Sequence, residues 1–561
     1  MSAIDSRDGG RALYLGQAFP TLARTLSLMD HEPASPSRGS FDRTWWCWKF
    51  TDFSASRFQE GVFTLAWLYD SPHGPAGAAG NPRLLEMALH AARFWTGLQH
   101  GDGSFDEAYP FERSLAATAF TGFYVGMGIE RLLPHLTADQ AGPILRALDH
   151  GATWLSASRE THGVLSNHLA AAAAALEVAG TVLGTDRFRA ARDRHIDTIA
   201  RNQNRSEGWL REYGGADPGY QSLGLFYLGE IWHRTGDPAL LEVLTRTADF
   251  QAWFAHPDGT MGGEYASRGT KFGWPAGFET LAAAVPAAAA IARHLRRCLT
   301  AGRGIGPEVM DPWNHFPMLN NYLLAAERAA ELDGAPDLPW QADGASRVFP
   351  ECGLAVAHAG GRLLAAAPGQ GGAAKLWDSG TGTLLYEDCG YLVRQGNKAF
   401  TSQTPGEFQT VAGDGLTLEC ESGFAAVPAT RFDPWRFMAF RLFMLTLGRW
   451  PVLARRIKEL LVFVLIRRRR PHPAKLKRRL CFAAGGDLVI DDRVTGAAVA
   501  PEPVARQVPI HMGSARYGDL EDWLGPALSP PALNSHMGRR VEINPRSAAF
   551  CGDATDETAR S

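Results

Sequence analysis

His100-Gly-Asp-Gly-Ser-Phe105 ends one apolar, helically patterned stretch, and three similar glycine breaks follow along the chain. They are Thr161-His-Gly-Val-Leu165, Ser206-Glu-Gly-Trp-Leu210 and His256-Pro-Asp-Gly-Thr260. The glycines of successive breaks lie 60, 45 and 51 residues apart. A repeated unit of about 50 residues that holds two helices indicates stacked helical hairpins, each of which buries its face against its neighbours. The pattern predicts an incomplete (α/α) toroid whose loops gather at one end.

The helical pattern recurs through the first part of the chain. Apolar residues return at helical spacing, and an Ala-rich run that starts at Ala170 suits close contact between helices. The periodicity predicts helices at residues 83–99, 116–133, 141–155, 167–184, 187–203, 220–236, 239–254, 278–299 and 316–332.

The pattern changes after Leu332, where a linker with Gly and Pro begins. Short runs of alternating apolar and polar residues follow, separated by glycine turns, as in an antiparallel β-sandwich. These runs lie at residues 353–358, 362–366, 382–387, 390–394, 408–411, 416–421 and 486–492.

The fold class predicted from these patterns is α+β multidomain, with a toroid of helical hairpins followed by an antiparallel β-sandwich. A chain of 561 residues is too long for one core, which agrees with this division. We expect an N-terminal extension at 1–40, a catalytic toroid at 41–335 and the sandwich at 345–500. A basic helical insert at 431–479 interrupts the sandwich, and a Pro-rich C-terminal tail covers 501–561.

The insert carries the positive charge of the protein. It holds 15 Lys and Arg against 2 Asp and Glu, which gives a net charge of +13. The whole chain has a net charge of −3, so the residues outside the insert carry a net charge of −16. Arginines interleave there with Trp435, Phe437 and Trp450. This mix suits a grip on an anionic polysaccharide or peripheral contact with an anionic membrane through 435–479. A solvated face packed on the acidic toroid is the alternative. No recognised nucleic-acid-binding module accompanies the charge, so we expect no nucleic-acid partner.

Cysteine usage and the N-terminus bear on the compartment. The seven cysteines are odd in number and form no CxxC pair, which argues against a disulfide framework. The first ten residues contain no apolar run of the kind that a secretory signal needs. We therefore expect a cytoplasmic protein, with peripheral membrane attachment through the insert as a second expectation.

Four short segments carry a further pattern. Ser166-Asn167-His168 opens the Ala-rich helix, and the glycine-rich stretch 207–222 leads to Tyr220 at a helix start. The other two segments are Gly262-Gly-Glu264-Tyr265-Ala-Ser-Arg268 and Asp388-Cys-Gly-Tyr391. With the helical-then-β order, over residues 42–494, these segments resemble the heparinase II/III-like superfamily of polysaccharide lyases.

The resemblance implies cleavage of an acidic polysaccharide by β-elimination. Asn167 and His168 match the Asn/His carboxylate clamp of that superfamily, and Tyr220 matches its catalytic Tyr. Many members also place a second catalytic His in the first β-strands, but residues 369–377 contain none. Gln221 stands where relatives often have His. Three outcomes stay open: Tyr220 acts without that His, the chemistry is altered, or the activity is lost.

The same residue types suit the reaction on chemical grounds. A base removes the C5 proton of a uronic acid, and hydrogen-bond donors offset the charge of the neighbouring carboxylate. Asn167, His168 and Arg268 are suitable donors, Arg through two parallel bonds. Tyr220 would move the proton. The plain structural alternatives are a helix N-cap at Asn167 and a core tyrosine at Tyr220. This scheme requires no metal and no cofactor.

Further residues are candidates for substrate contact. Trp45 and Trp46 offer aromatic faces to sugar rings, with core packing as the alternative. Glu264 forms a structural ion pair with Arg268 in the alternative interpretation. The complete set of substrate-binding candidates is Tyr213, Gln221, Glu264, Tyr265, Trp45, Trp46 and His315.

Three other functions stay open beside a lyase. A uronyl C5-epimerase removes the same proton and returns it from the opposite face. A glycoside hydrolase would depend on a carboxylate such as Asp102 or Glu107. A non-catalytic glycan-binding or membrane-associated assembly protein would need none of these reactions.

Overall fold

The computed structural model describes residues 3–160, 163–427, 433–464, 469–497 and 499–506, and the backbone of a strand at 537–544. Helices dominate its first part, as predicted, and two more lie in the insert. The helices are α1 (Arg7–Ala18), α2 (Leu22–Ser27), α3 (Arg43–Trp48), α4 (Gly61–Asp70), α5 (Pro82–Leu98), α6 (Leu115–Leu132), α7 (Ala138–Ala157), α8 (Ser166–Leu183), α9 (Arg189–Asn202), α10 (Pro218–Thr235), α11 (Pro238–Gln251), α12 (Pro275–Leu281), α13 (Pro286–Thr300), α14 (Pro312–Arg328), α15 (Pro434–Leu445) and α16 (Pro451–Val462).

The helices alternate between an inner and an outer ring. The inner ring is α4, α6, α8, α10, α12 and α14, each of which packs against the next. It closes on itself, because Asn320 of α14 donates to the Glu60 carbonyl and accepts from Thr64 of α4 at 2.6 Å. Inner helices such as α6 are buried almost all round, as expected of a core helix. The predicted helical toroid is confirmed, with an inner ring that leaves no gap between α14 and α4.

A repeated contact explains the glycine breaks. Gln203 ends its outer helix and donates its amide to the carbonyls of Gly208 at 3.2 Å and Val243 at 3.0 Å. Gln99 does the same with the carbonyls of Gly103 and Ala147. Each glutamine thus ties its own loop to the next outer helix, which locks neighbouring hairpins together.

Gly208 is required by this packing. Its φ is +92°, and a Cβ there would lie 2.1 Å from the carbonyl oxygen of Arg246. We expect Gly208→Ala to lower the free energy of unfolding by about 2 kcal/mol or more, measured by chemical denaturation. Gly184→Ala is the matched control, because Gly184 has φ +62° but open space around it. Its expected cost is about 1 kcal/mol, and equal costs at the two sites would contradict the packing explanation.

The second part of the chain forms two sheets. The strands are β1 (Ser346–Phe349), β2 (Leu354–Ala359), β3 (Arg362–Ala367), β4 (Ala373–Asp378), β5 (Leu384–Asp388), β6 (Tyr391–Gln395), β7 (Lys398–Thr401), β8 (Gly406–Val411), β9 (Leu416–Ala426), β10 (Pro471–Phe482), β11 (Leu488–Thr495), β12 (Glu502–Pro503) and β13 (Met537–Asn544). The first sheet has the antiparallel order β1-β2-β3-β4-β5. The second has the order β12-β6-β7-β9-β10-β11-β13, with β8 paired to β9. Only the β11–β13 pair in this described region is parallel.

Side-chain alternation places the first sheet between two layers. Ala355 and Leu364 face the second sheet and pack in one core with Leu418 and Leu480. The residues that alternate with these along the same strands, such as Val356 of β2, face the other way and belong to the core of the toroid. The predicted sandwich is therefore present, and its first sheet is covered on both faces.

Several predicted boundaries are wrong. The helix predicted at 278–299 is two helices, because Pro286 cannot continue α12 and instead starts α13. The expected extension at 1–40 contributes α1, which packs against α13 and α14 of the toroid. Within the expected helical insert, α15 and α16 are helices, but residues 471–482 form β10. The expected tail supplies β12 and β13.

Some predicted features lie outside the described residues. They are residues 161 and 162 of the second glycine break, Arg431, Arg467 and Arg468 of the insert, and most of the segment after 506.

Candidate active site

One cleft in the toroid brings together the four residues predicted to act in catalysis. Asn167, His168, Tyr220 and Arg268 all line this cleft, whose volume is about 550 Å³. Tyr213, a substrate-binding candidate, lines it as well. The wall also includes Arg57, Glu107, Glu112, Phe120, Tyr227, Phe272, Trp274, Trp313 and Asn314.

A single carboxylate positions the backbone of Tyr220 and Arg268. Asp217 is the N-cap of α10, where its Oδ1 accepts from the Tyr220 amide at 3.0 Å. Its Oδ2 accepts from the Arg268 amide at 2.7 Å. Burial raises the pKa of Asp217 to about 6, although these two amides act in the opposite direction. The cap therefore joins the start of α10 to the loop that carries Arg268.

Arg268 lies directly over the Tyr220 ring. Its guanidinium carbon is 3.4 Å from the ring centroid of Tyr220 and 5.1 Å from that of Tyr213. Burial lowers the pKa of Arg268, but Tyr220, Glu212 and Tyr213 raise it more, so that it stands above its ordinary value. The site thus holds a permanent positive charge against a phenol.

Glu212 contacts both Asn167 and Arg268. It was not identified as a site residue from the sequence. Its carboxylate accepts from the Asn167 amide nitrogens, at 3.0 Å from the backbone and 2.7 Å from the side chain. It also lies 3.4 Å from Nη1 of Arg268. The only available signal was its place in the glycine-rich stretch beside Tyr213.

Two buried polar atoms of the cleft lack a partner among the described residues. They are Oδ1 of Asn167 and Nε of Arg268. An unpaired buried donor or acceptor costs about 1–3 kcal/mol. The Nε–H of Arg268 suits an anionic acceptor, whereas Oδ1 of Asn167 needs a donor such as a hydroxyl.

His168 is held by the carboxylate of Glu160, eight residues earlier in the chain. Its Nδ1 lies 2.7 Å from Oε2 of Glu160, and its ring meets that of Phe120 edge-on. This contact fixes the orientation of the imidazole in the first turn of α8.

Further ion pairs line the cleft. Arg57 contacts Glu60 and lies 3.0 Å from Glu107, and Lys458 of α16 lies 3.1 Å from Glu112. Burial, with Glu107 nearby, raises the pKa of Glu60 to about 7 in spite of Arg57. Glu107 is thus committed to an arginine, while Asp102 pairs with Arg113 at 3.0 Å and does not line the cleft.

The aromatic surface of the cleft differs from the predicted one. Trp45 packs 5.6 Å from Phe94, and Trp46 donates its indole N–H to the Leu28 carbonyl. Neither lines the cleft, so the structure places both outside the candidate site. Trp313 does line it and is 43% exposed, which makes it the better platform for a sugar ring.

Helix periodicity explains two further errors. Gln221 is next to Tyr220 but turns inward, where it accepts from the Leu210 amide and donates to the Thr247 carbonyl. His315 follows Asn314 but is fully buried against Thr25 at 2.8 Å. Burial lowers the pKa of His315 to about 4. Successive helical residues point about 100° apart, so a neighbour of a cleft residue often faces the core.

Glu264 and Tyr265 support the contact between toroid and sandwich instead of the substrate. Glu264 is buried and pairs with Lys375 of β4 at 2.5 Å and with Lys271 at 3.1 Å. Burial opposes its ionisation, but the two lysines hold its pKa below the ordinary value. The Tyr265 hydroxyl lies 2.8 Å from Nε2 of His256 within the core. The alternative interpretation, an ion pair between Glu264 and Arg268, is not observed, because Arg268 pairs with Glu212.

The described residues contain no group of three or more His, Cys, Asp or Glu side chains arranged to hold a metal ion.

Comparison with known proteins gives similarities of structure. No family model matches the chain, and no curated protein matches its sequence. A chondroitin AC lyase from Streptomyces coelicolor A3, solved with chondroitin sulphate, is 14% identical with a TM-score of 0.48, over 74% of this chain and 67% of that chain. A Paenibacillus xanthan lyase is 12% identical with a TM-score of 0.48, over 76% of this chain and 46% of that one. Heparinase III is 11% identical with a TM-score of 0.47, over 79% and 64%. These similarities assign no role to any residue of this chain.

Proposed function

We propose that this protein is a polysaccharide lyase that cleaves a uronic-acid-containing anionic glycan by β-elimination. The observation that carries the proposal is the convergence of Asn167, His168, Tyr220 and Arg268 in one cleft, with the Arg268 guanidinium over the Tyr220 ring. These residues come from three separate segments of the chain.

Arg268 and Asn167 would bind the carboxylate of the sugar. Arg268 lines the cleft and its buried Nε–H has no hydrogen-bond partner among the described residues, and the Asn167 amide is held in place by Glu212. Donors that offset the carboxylate charge make the neighbouring C5 proton easier to remove and stabilise the enolate-like intermediate. His168 would add a further hydrogen bond.

Tyr220 would move the proton. Its phenolate oxygen takes the proton from C5, the C4–O bond breaks as the C4=C5 double bond forms, and the departing oxygen receives the proton back from Tyr220. The electron pair of the C–H bond becomes the new double bond, and the electrons of the C4–O bond leave with the oxygen. Residues 369–377 carry no histidine, and Lys375 there is committed to Glu264 and Glu387.

The experiment is a spectroscopic assay on the purified chain. Incubation with heparosan-like, chondroitin-like and alginate-like polymers should give an ultraviolet absorbance gain from the unsaturated uronate. Absence of any gain across the panel would overturn the proposal. Deuterium that enters C5 from heavy water without chain cleavage would instead identify a C5-epimerase, which uses the same proton-removal step.

A further inference from the structure

The helical insert forms a hairpin, which we call the α15–α16 hairpin, that is fastened to the toroid beside the cleft. Its inner face holds Arg441 at 3.0 Å from Asp52 and Lys458 at 3.1 Å from Glu112. Phe440 adds an edge-on ring contact with Tyr109 at 5.0 Å. The hairpin is therefore docked on the loops at the cleft, and its inward cations are already paired.

The outer face of the hairpin is apolar and exposed. Trp435 is 77% exposed, Leu442 66%, Trp450 63% and Val452 71%. In α15, Trp435, Met438, Leu442 and Leu445 recur at helical spacing along one stripe, and Phe437 is exposed off this stripe. The whole set is Trp435, Phe437, Met438, Leu442, Leu445, Leu447, Trp450, Val452, Leu460, Phe463 and Val464. Large exposed apolar side chains in this number, within one segment, indicate an interaction surface.

Cations accompany this exposed apolar surface. Arg436, Arg449, Arg455 and Arg456 are exposed on the hairpin. The acids of residues 433–464 are Asp433 and Glu459, and each lies next to an arginine, Arg436 and Arg456, respectively. The toroid thus pairs Arg441 and Lys458 with acids, while the exposed arginines outnumber the two acids of the hairpin. Arg449 also lies over the Phe111 ring of the toroid.

We infer that the α15–α16 hairpin docks this protein on an anionic phospholipid bilayer. Tryptophan and arginine beside exposed Leu, Phe and Val are the composition of helices that lie in the membrane interface. A helix of 12 residues is about 18 Å long, too short to cross a hydrocarbon core of about 30 Å. None of the helices described here has the length and apolar character of a membrane span. A soluble polyanion would engage the arginines but leave the apolar face uncovered. The inference does not depend on the reaction in the cleft.

Vesicle co-sedimentation of the full chain tests the inference. We expect binding to phosphatidylcholine vesicles that contain phosphatidylglycerol, much weaker binding to pure phosphatidylcholine, and a loss of binding as salt rises. The combined substitutions Trp435→Ser, Leu442→Ser and Trp450→Ser should weaken binding about tenfold or more. Val489→Ser, at an exposed apolar residue of β11, is the matched control and should leave it unchanged.

A second pair of variants isolates the charge. Arg455→Gln with Arg456→Gln should weaken binding to anionic vesicles about tenfold, whereas Arg189→Gln with Arg201→Gln on the outer helix α9 should have no effect. Circular dichroism verifies that each variant is folded. Absence of vesicle binding by the unaltered chain, or equal losses in the variants and their controls, would overturn the inference. So would a dimer in analytical ultracentrifugation that the Trp435, Leu442 and Trp450 substitutions dissolve, together with no vesicle binding.

Discussion

Replacement of Tyr220 by Phe should lower kcat by about 10²–10⁴-fold on any polymer that the unaltered chain cleaves, because loss of a proton-transfer group costs that much. The aromatic ring and its contact with Arg268 survive the substitution, so binding of the glycan should change little. Steady-state kinetics by ultraviolet absorbance, with a parallel binding measurement on the same polymer, separates the two effects. A glycan-binding protein without catalytic activity would show binding in both forms and turnover in neither.

Tyr213 is the matched control for this experiment. It lines the same cleft and also lies under the Arg268 guanidinium, but at 5.1 Å instead of 3.4 Å. Burial raises the pKa of Tyr213 well above its ordinary value, against the effect of Arg268, which makes it a poor base. Tyr213→Phe should therefore retain most of kcat. A larger loss at Tyr213 than at Tyr220 would transfer the proton-moving role to the other tyrosine.

Replacement of Arg478 by Met should destabilise the sandwich by about 3–5 kcal/mol, because it leaves two buried carboxylates without their counter-ion. Arg478 of β10 is fully buried. Its guanidinium lies 2.7 Å from Asp492 of β11 and 2.9 Å from Asp388 of β5. Since β5 belongs to the other sheet, this network joins the two layers. Thermal or chemical unfolding of the variant measures the loss.

The adjacent residue provides the control. Arg479 points to the opposite side of β10, is 48% exposed at its side chain and lies 3.5 Å from Glu419. Exposed pairs of this type are screened by solvent and contribute little to stability, so Arg479→Met should be nearly neutral. Similar losses for the two variants would mean that the buried network adds little to the stability of the sandwich.

The Asp388-Cys-Gly-Tyr391 segment takes part in the same buried network. Asp388 accepts from Arg478 and from the Tyr386 hydroxyl, and Tyr391 donates its hydroxyl to Asp492 at 2.7 Å. The segment that contributed to the family resemblance therefore contains residues that hold the two sheets together. No part of it lines the cleft.

Local pattern was sufficient for the architecture and for part of the site. Helical periodicity and the glycine breaks indicated the hairpins, because both depend on interactions within a few residues of the chain. Asn167, His168 and Tyr220 were found for a similar reason: each lies in the first turn of a helix that follows a glycine-rich loop. Such positions face the end of the toroid where the loops gather.

Only the tertiary structure decided which neighbours of these residues reach the cleft. Glu212 contacts Asn167 across 45 residues of sequence, and Lys458 contacts Glu112 across 346. Gln221 and His315 have the residue types of a binding site, yet the closed ring turns them inward. Periodicity predicts which face of a helix is buried, but it does not predict which residue packs against each side chain. That partner is chosen by how the rings close and by where the insert and the sandwich pack, which are contacts between residues far apart in the chain.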